Sequence, residues 1–216
     1  MTDDELMTTI HDGRRAFGDL LAGLPAADWE TPSLCAGWRV CEVVAHMTMP
    51  LRYSAPRFLG EMLRSRGNFG RMADRVARRD AQAPVNALLA AWRAGQESRW
   101  KPPGGGLPGA LTHDVVHGLD ITVPLDIEHP VSEPALRVVL DHATTPLSLK
   151  HFGLDLAGIR LEADDFEWAY GDGEPLRGPA RCLLLVLMDR RLPAGLLSGA
   201  AAARFTTSSP ARSQKD

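Results

Sequence analysis

Residues 110–123 decide the fold of this chain, and they read ALTHDVVHGLDITV. On a helical wheel at about 100° per residue, the apolar side chains of this stretch share one broad face. His113, His117 and Asp120 fall together on a separate strip about 60° wide. This pattern predicts an amphipathic helix that packs its apolar face against other helices and ends at Pro124.

Apolar residues recur at helical spacing in three earlier segments, which predict helices over about residues 3–24, 38–51 and 84–100. The second of these segments has one apolar stripe, formed by Val40, Val43, Val44, Met47 and Leu51. Residues 52–80 are rich in arginine and weakly periodic, so they indicate helix without clear bounds. A further helix is predicted over residues 132–144, and the chain is therefore expected to be mainly α.

From about residue 150 the pattern changes to short alternating runs at residues 158–163 and 166–170. The turn residues Gly171-Asp172-Gly173 follow, so the two runs predict a hairpin-like pair of strands. The apolar run at 182–188 predicts a helix, and residues 195–205 predict a final strand. We expect a helical domain at 1–148, a small α+β domain at 149–205 and a disordered polar tail at 206–216.

The charge balance argues against nucleic acid as a partner. The 216 residues include 24 basic and 27 acidic ones, a formal net charge of -3, whereas nucleic-acid-binding proteins show a basic excess. Several arginines do cluster, and we interpret them as a solvated helix face. These are Arg64, Arg66, Arg71, Arg75, Arg78 and Arg79.

The termini and the cysteines indicate a cytoplasmic protein. The acidic N-terminus lacks the features of a signal peptide, and no apolar run reaches the ~20 residues that a membrane span needs. We therefore expect neither a membrane partner nor secretion. Three cysteines, an odd number, make a disulfide framework improbable, so Cys35, Cys41 and Cys182 are expected to be buried, inert thiols.

His113 and His117 have the spacing of two ligands to one metal ion. Imidazoles at positions i and i+4 of a helix stand one turn apart, and both can reach an ion at the ~2.0–2.1 Å typical of metal–nitrogen bonds. Asp120 lies one turn further on and can hydrogen-bond a ligand imidazole. His46 lies off the apolar stripe of the second helix and is a candidate third ligand. Three protein ligands leave a coordination position open, as in catalytic sites.

Two other interpretations of the run HDVVH remain open. The two histidines can coincide on a solvated polar flank. The run also differs from the zinc-protease motif H-E-x-x-H only by Asp114 in place of Glu. Aspartate is one methylene shorter than glutamate, and Asp114 points about 100° from His113 around the wheel, which disfavours the peptidase.

Two motifs resemble the mycothiol-dependent maleylpyruvate isomerase family, within the wider DinB-like superfamily. The first lies within residues 29–46 and includes TPSLCAGWRV and EVVAH; the second is HDVVHGLDI at residues 113–121. Further on, Gly178 with residues 183–185 and 189–191 resembles the small C-terminal domain of the family. The resemblance implies a DinB-like four-helix bundle followed by a small α+β domain. It also implies a metal ion held by His46, His113 and His117.

The resemblance further implies a chemistry. Relatives use zinc and the low-molecular-weight thiol mycothiol, whose sulfur can occupy the open coordination position. A zinc-bound thiol is deprotonated, and its thiolate attacks a small electrophilic substrate, as in an S-transferase or an isomerase. Arg190 is the candidate catalytic residue of the C-terminal signature, as an anion-binding contact to the substrate or the thiol.

The chain departs from the family pattern at two positions. His113 stands where maleylpyruvate isomerase itself has Glu, and Asp189 stands where the family usually has Gly before its Arg. A metal-dependent hydrolase, in which water takes the place of the thiol, and a non-catalytic small-molecule-binding or stress-response module remain alternatives. In each case we expect a monomer or a homodimer.

Overall fold

The chain divides into two units in the computed structural model, which describes residues 1–207. The first unit is Met1–Val131, and the second is Ser132–Asp216, described as far as residue 207. Each unit has its own buried apolar side chains. Within residues 1–207, no helix has both the length and the apolar character needed to span a membrane.

The first unit is helical. In chain order its α-helices are α1 (Asp3–Gly23), α2 (Val40–Arg52), α3 (Ala55–Arg64), α4 (Phe69–Asp80), α5 (Val85–Gly95) and α6 (Gly106–Thr122). Helices α1, α2, α5 and α6 pack on one another as a four-helix bundle, while α3 and α4 connect α2 to α5. The predicted bundle is therefore confirmed, and residues 52–80 form two helices of their own.

Helix α1 shows how the sequence sets a helix and its buried face. The Thr2 hydroxyl accepts from the backbone N–H of Glu5, and the Glu5 carboxylate accepts from the backbone N–H of Thr2. This capping box satisfies two N–H groups that the first turn leaves without helical partners. Leu6, Ile10 and Leu21 are buried along one face of the helix. Burial of each such side chain contributes about 1.5–3 kcal/mol, so the face fixes α1 in the bundle.

The apolar stripe of α2 lies at the centre of the first unit. Val43 and Val44 are fully buried, and Met47 is nearly so. They belong to one core cluster with Phe17 of α1 and Trp92 of α5, among other residues. Helix α2 also packs on α6, and His46, which lies beside the stripe, faces the helix that carries HDVVH.

The arginine cluster on α3 and α4 is only partly a solvated face. The Glu61 carboxylate on α3 is buried. It accepts a hydrogen bond from Arg79 Nη1 of α4 at 2.7 Å and forms an ion pair with Arg75 Nη2 at 2.7 Å. The hydrogen bond from Arg79 is the largest influence on Glu61 and outweighs its desolvation, so the pKa of Glu61 falls to about 2. Three of the six arginines, Arg64, Arg75 and Arg79, thus form ion pairs with one buried carboxylate.

The second unit combines helices with a small sheet. Its elements are α7 (Glu133–Ala143), α8 (Pro146–Phe152), β1 (Ile159–Ala163), β2 (Ala169–Tyr170), β3 (Glu174–Gly178) and α9 (Ala180–Leu187). The strand order is β2-β1-β3, with β2 antiparallel and β3 parallel to β1. Every residue of α9 but Arg181 is buried, and α9 packs on α7 and β1. The predicted strand pair and the helix at 182–188 are confirmed.

The sequence does not predict strand β3, because Glu174, Pro175 and Arg177 are unusual in a strand and only Leu176 is a large apolar residue in it. Conversely, the predicted strand at 195–205 is wrong. In the described residues this segment has a 3-10 helix at Ala202–Arg204 and one isolated bridge, between Ser198 and Arg177.

The described end of the chain and the division into units differ from the predicted domain limits. Thr206 forms a bridge with Leu192, and Thr207 donates its backbone N–H to the Leu192 carbonyl. The rest of the predicted tail lies outside the described residues.

The sequence predicts a boundary after residue 148, whereas the structure groups α7 and α8 with the second unit, since α7 packs on α9.

Candidate metal centre

Three histidine side chains converge between α2 and α6. His46 lies on α2 and is buried, and His113 and His117 lie one turn apart on α6. The ring centroids are 5.4 Å apart for His46 and His113, 4.8 Å for His46 and His117, and 4.9 Å for His113 and His117. One ring nitrogen of each lies within 4.8 Å of those of the other two. Nitrogens that share an ion at about 2.1 Å lie about 3.0–3.5 Å apart, so small rotations of the three side chains would bring these nitrogens to that spacing.

A carboxylate accompanies each histidine of α6. His113 Nδ1 lies 3.1 Å from Asp114 Oδ1, and His117 Nδ1 lies 3.0 Å from Asp120 Oδ2. When a neutral imidazole donates from Nδ1 to a carboxylate, Nε2 keeps its lone pair, which is the form that binds a metal ion. The two pairs therefore favour the same ligating nitrogen in both rings.

Asp114 stays ionised despite its surroundings. Burial alone would raise the pKa of this carboxyl, but the hydrogen bond with His113 and the positive charge of Arg14 outweigh burial and hold the pKa below its ordinary value. An ionised carboxylate can only accept hydrogen bonds, so the proton of the His113–Asp114 pair belongs to the imidazole.

The loop before α2 supports the second carboxylate. The Cys35 thiol lies 2.9 Å from Asp120 Oδ2, to which it donates, and 3.8 Å from His117 Nδ1. The backbone N–H of Leu34 donates to the Asp120 carbonyl at 3.0 Å, which docks the loop on α6. Cys35, His117 and Asp120 are close enough to form a second group of possible ligands. Asp120 already forms hydrogen bonds with both Cys35 and His117. We therefore interpret these three residues as a hydrogen-bonded group that orients His117, and not as a second metal site.

Two tryptophans flank the three histidines. The Trp38 ring centroid lies 5.2 Å from that of His46, and the Trp100 centroid lies 5.3 Å from that of His113. Trp38 Nε1 donates to Asp74 Oδ1 of α4 at 2.9 Å, which fixes the plane of its indole. Both tryptophans are partly exposed, so they offer apolar, aromatic surface beside the imidazoles.

Residues 10–101 match the family model of the mycothiol maleylpyruvate isomerase N-terminal domain. The chain is thus similar to this family over that region, which is somewhat less than half of its length. The matched region contains His46 but ends before His113 and His117. The model is named for an isomerase, so the family is one of enzymes. No protein of curated function matches the sequence.

Two solved structures are similar to the chain over almost its whole length. One is a histidine-to-alanine mutant of mycothiol-dependent maleylpyruvate isomerase, with a TM-score of 0.61 and 12% identity, covering 94% of both chains. The other is mycothiol-dependent maleylpyruvate isomerase, with a TM-score of 0.58, 13% identity and the same coverage. The predicted fold, a DinB-like four-helix bundle followed by a small α+β domain, is thereby confirmed.

The structure brings together His46, His113, His117 and Asp120, the four residues that the sequence places in one metal centre. Sequence reasoning missed Asp114, because the wheel sets neighbouring residues about 100° apart and so separates it from His113. One feature of the sequence could have indicated Asp114, because it directly follows the candidate ligand His113. Cys35 is buried as predicted, but it contacts Asp120 rather than only apolar side chains.

Arg190 belongs to the second unit and follows α9. Its side chain is partly buried, and Nη1 donates to the Met188 carbonyl at 3.0 Å. The residue before it, Asp189, has a φ of 56°, in the left-handed region that favours glycine. The Gly that the resemblance implies at this position would adopt this conformation without strain. The catalytic role of Arg190 stays a prediction.

Proposed function

We propose that this chain is a metal-dependent enzyme that uses mycothiol to transfer a thiol to, or to isomerise, a small electrophilic substrate. His46, His113 and His117 would hold the ion, with Asp120 orienting His117. The observation that carries the proposal is the convergence of three imidazoles, two of them with Nδ1 held by a carboxylate. An all-nitrogen donor set suits zinc.

The donor set fits a catalytic ion better than a structural one. Structural zinc sites in proteins are closed by four protein ligands, whereas a three-histidine set leaves a position for a small molecule. When bound, the ion would lower the pKa of a thiol there, so that the thiol is present as its reactive thiolate. The role of His113 and His117 is to present Nε2, and their carboxylate partners keep both rings in that orientation.

The substrate of this chain need not be maleylpyruvate. Three neutral imidazoles leave the full positive charge of the ion uncompensated, whereas the Glu that maleylpyruvate isomerase has in place of His113 would remove part of it. A more positive centre favours the thiolate but changes its reactivity. Trp38 and Trp100 add aromatic surface beside the site, which suits an apolar or conjugated electrophile. Arg190 is the proposed contact to an anionic group of the substrate or the thiol.

The test combines metal analysis with a thiol-consumption assay on the full chain. We expect about one equivalent of metal in the purified protein and a large loss in His46→Ala, because a ligand is removed. His151→Ala is the matched control, since His151 is exposed on α8 in the second unit and should leave the metal content unchanged. With an electrophile such as monochlorobimane, consumption of mycothiol should require both the metal and the thiol.

Other outcomes would contradict the proposal. Full metal content in His46→Ala removes His46 from the ligand set. Activity that persists without any thiol favours the hydrolase instead. A metal-free protein whose melting temperature and ligand binding do not respond to His113→Ala favours the non-catalytic binding module.

A further inference from the structure

Arg14 is a buried cation on α1, outside the set of candidate ligands. Only 3% of it is exposed, because Arg14 lies on the face of α1 that packs into the bundle. Burial of a guanidinium is costly unless its charge is compensated and its N–H groups are bonded. Its Nε donates to Asp114 Oδ2 at 2.6 Å, and its Nη1 donates to the Ser98 carbonyl at 2.7 Å.

The first of these bonds leads directly to a candidate ligand. Asp114 uses one oxygen for Arg14 and the other for His113 Nδ1, so the carboxylate lies between the guanidinium and the imidazole. A carboxylate held at one oxygen by a buried arginine has little freedom to rotate. The Asp114 carboxylate therefore fixes the ring plane of His113, and Arg14 of α1 in turn fixes the carboxylate.

The second bond reaches the same imidazole by another route. The Ser98 carbonyl that accepts from Arg14 belongs to the segment between α5 and α6, and the Ser98 hydroxyl accepts from the backbone N–H of Trp100 at 3.2 Å. The Trp100 ring packs edge-on against His113. One bond of Arg14 therefore ends on a carboxylate that bonds His113, and the other ends on Ser98, which in turn holds the backbone of Trp100.

The backbone of Arg14 is held as firmly as its side chain. Its carbonyl accepts from Trp92 Nε1 at 2.8 Å, and Trp92 is a fully packed residue of α5. Arg14 is thus held by α5 at its backbone carbonyl. Its guanidinium is held by α6 and by the segment before α6. A side chain that is fixed at both its backbone and its end can in turn fix the orientation of the carboxylate that it bonds.

We infer that Arg14 is the positioning residue of this centre: through Asp114 and Ser98 it fixes the orientation of His113 and the place of Trp100. The inference rests on the proposed function only in taking His113 for a ligand. It also assigns Asp114 a defined task, which is to keep the proton of His113 on Nδ1 and its lone pair on Nε2.

The test measures metal affinity and the His113 tautomer in the full-length chain. Arg14→Met keeps an unbranched side chain that reaches about as far as Nε but removes both hydrogen bonds. Arg15→Met is the matched control, since Arg15 is half-exposed on the same helix. We expect Arg14→Met to weaken binding of Zn²⁺ and Co²⁺ by about 10–100-fold in chelator competition, the usual effect of losing such a support. The visible absorption of the Co²⁺ form should change as well. Arg15→Met should match the wild type in both measurements.

Nitrogen NMR of the histidine side chains gives a readout that needs no metal and no activity. In the metal-free wild type we expect His113 as the Nδ1–H tautomer, and in Arg14→Met a mixture of tautomers. If the wild type binds no metal at these histidines, the proposed function fails, while the tautomer result still decides the role of Arg14. A folded Arg14→Met protein with wild-type affinity and an unchanged His113 spectrum overturns the inference.

Arg14→Lys serves if Arg14→Met does not yield folded protein. A single ammonium group keeps the charge but cannot reproduce the two directed bonds of the guanidinium. We expect a loss of metal affinity of about threefold or more and a partial change in the His113 spectrum. Unchanged affinity and an unchanged spectrum in Arg14→Lys would likewise refute the positioning role.

Discussion

Two glycines of α1 should respond to alanine in opposite directions. A Cβ on Gly18 would lie 2.9 Å from Trp92 Cδ1 and 2.7 Å from Gln96 Nε2, whereas a Cβ on Gly13 would meet nothing within 4 Å. Alanine raises helix stability by about 0.5–1 kcal/mol at either position. At Gly18 this gain is opposed by overpacking of about 1–3 kcal/mol, because the buried indole has no room to withdraw.

Gly18→Ala would also disturb a hydrogen bond that the indole of Trp92 donates. Its Nε1 donates to the Arg14 carbonyl, and a buried N–H that loses its acceptor costs about 1–3 kcal/mol. We therefore expect Gly18→Ala to destabilise the protein by about 1–4 kcal/mol and Gly13→Ala to stabilise it by about 0.5–1 kcal/mol.

Urea denaturation followed by tryptophan fluorescence and by circular dichroism measures both variants. The unfolding midpoint should fall for Gly18→Ala and rise for Gly13→Ala, with little change in the denaturant dependence of the unfolding free energy. Equal midpoints for the two variants would refute the reasoning, since they would mean that α1 and α5 do not approach closely at Gly18. That result would also remove the anchor proposed for the backbone of Arg14.

Three further outcomes are expected. Asp120→Asn should weaken zinc binding by about 10–100-fold in chelator competition, because the imidazole beside it loses its charged acceptor; an unchanged affinity would show that Asp120 does not orient that ring. Glu61→Gln should lower the unfolding free energy at pH 7 by about 1–2 kcal/mol, since its bonds to Arg75 and Arg79 weaken. Because the pKa of Glu61 falls to about 2 in the folded chain, its contribution is present above about pH 4.5 and is lost as the pH falls towards 2. Acid titration of stability should therefore be flatter in Glu61→Gln, and an identical titration would contradict this. Asp189→Gly should raise the unfolding free energy by up to about 1 kcal/mol in thermal denaturation, because glycine adopts positive φ without strain; a lower melting temperature would show that the Asp189 side chain stabilises the turn.

The main helices could be predicted because their apolar residues repeat with the helical period. The predicted helix over residues 3–24 is α1 to within a residue, and the stripe from Val40 to Met47 is buried as the pattern requires. Helices α3 and α4 could not be bounded in the same way. Charged residues are interspersed among their apolar ones, so the apolar period is weak. The turn between the two helices depends on Arg66 and Gly67, both at positive φ.

The candidate ligands could be predicted from spacing, but most of their supports could not. His113, His117 and Asp120 share one strip of one helix, so sequence separation alone relates them. Arg14, by contrast, is 100 residues from Asp114 in the chain, and a charged residue on the buried face of α1 looks like a break in the apolar pattern. Long-range polar contacts of this kind follow from the packing of helices, which local periodicity does not describe.

The division of the chain into two units has an evolutionary consequence. The three histidines, their two carboxylates and Arg14 all lie within Met1–Val131, whereas Arg190 lies in Ser132–Asp216. The proposed ion-binding residues and the hydrogen bonds between them are therefore encoded entirely within the first unit. A lineage built in this way can diversify the second unit by drift, or by exchange of whole segments, while it inherits the first unit intact.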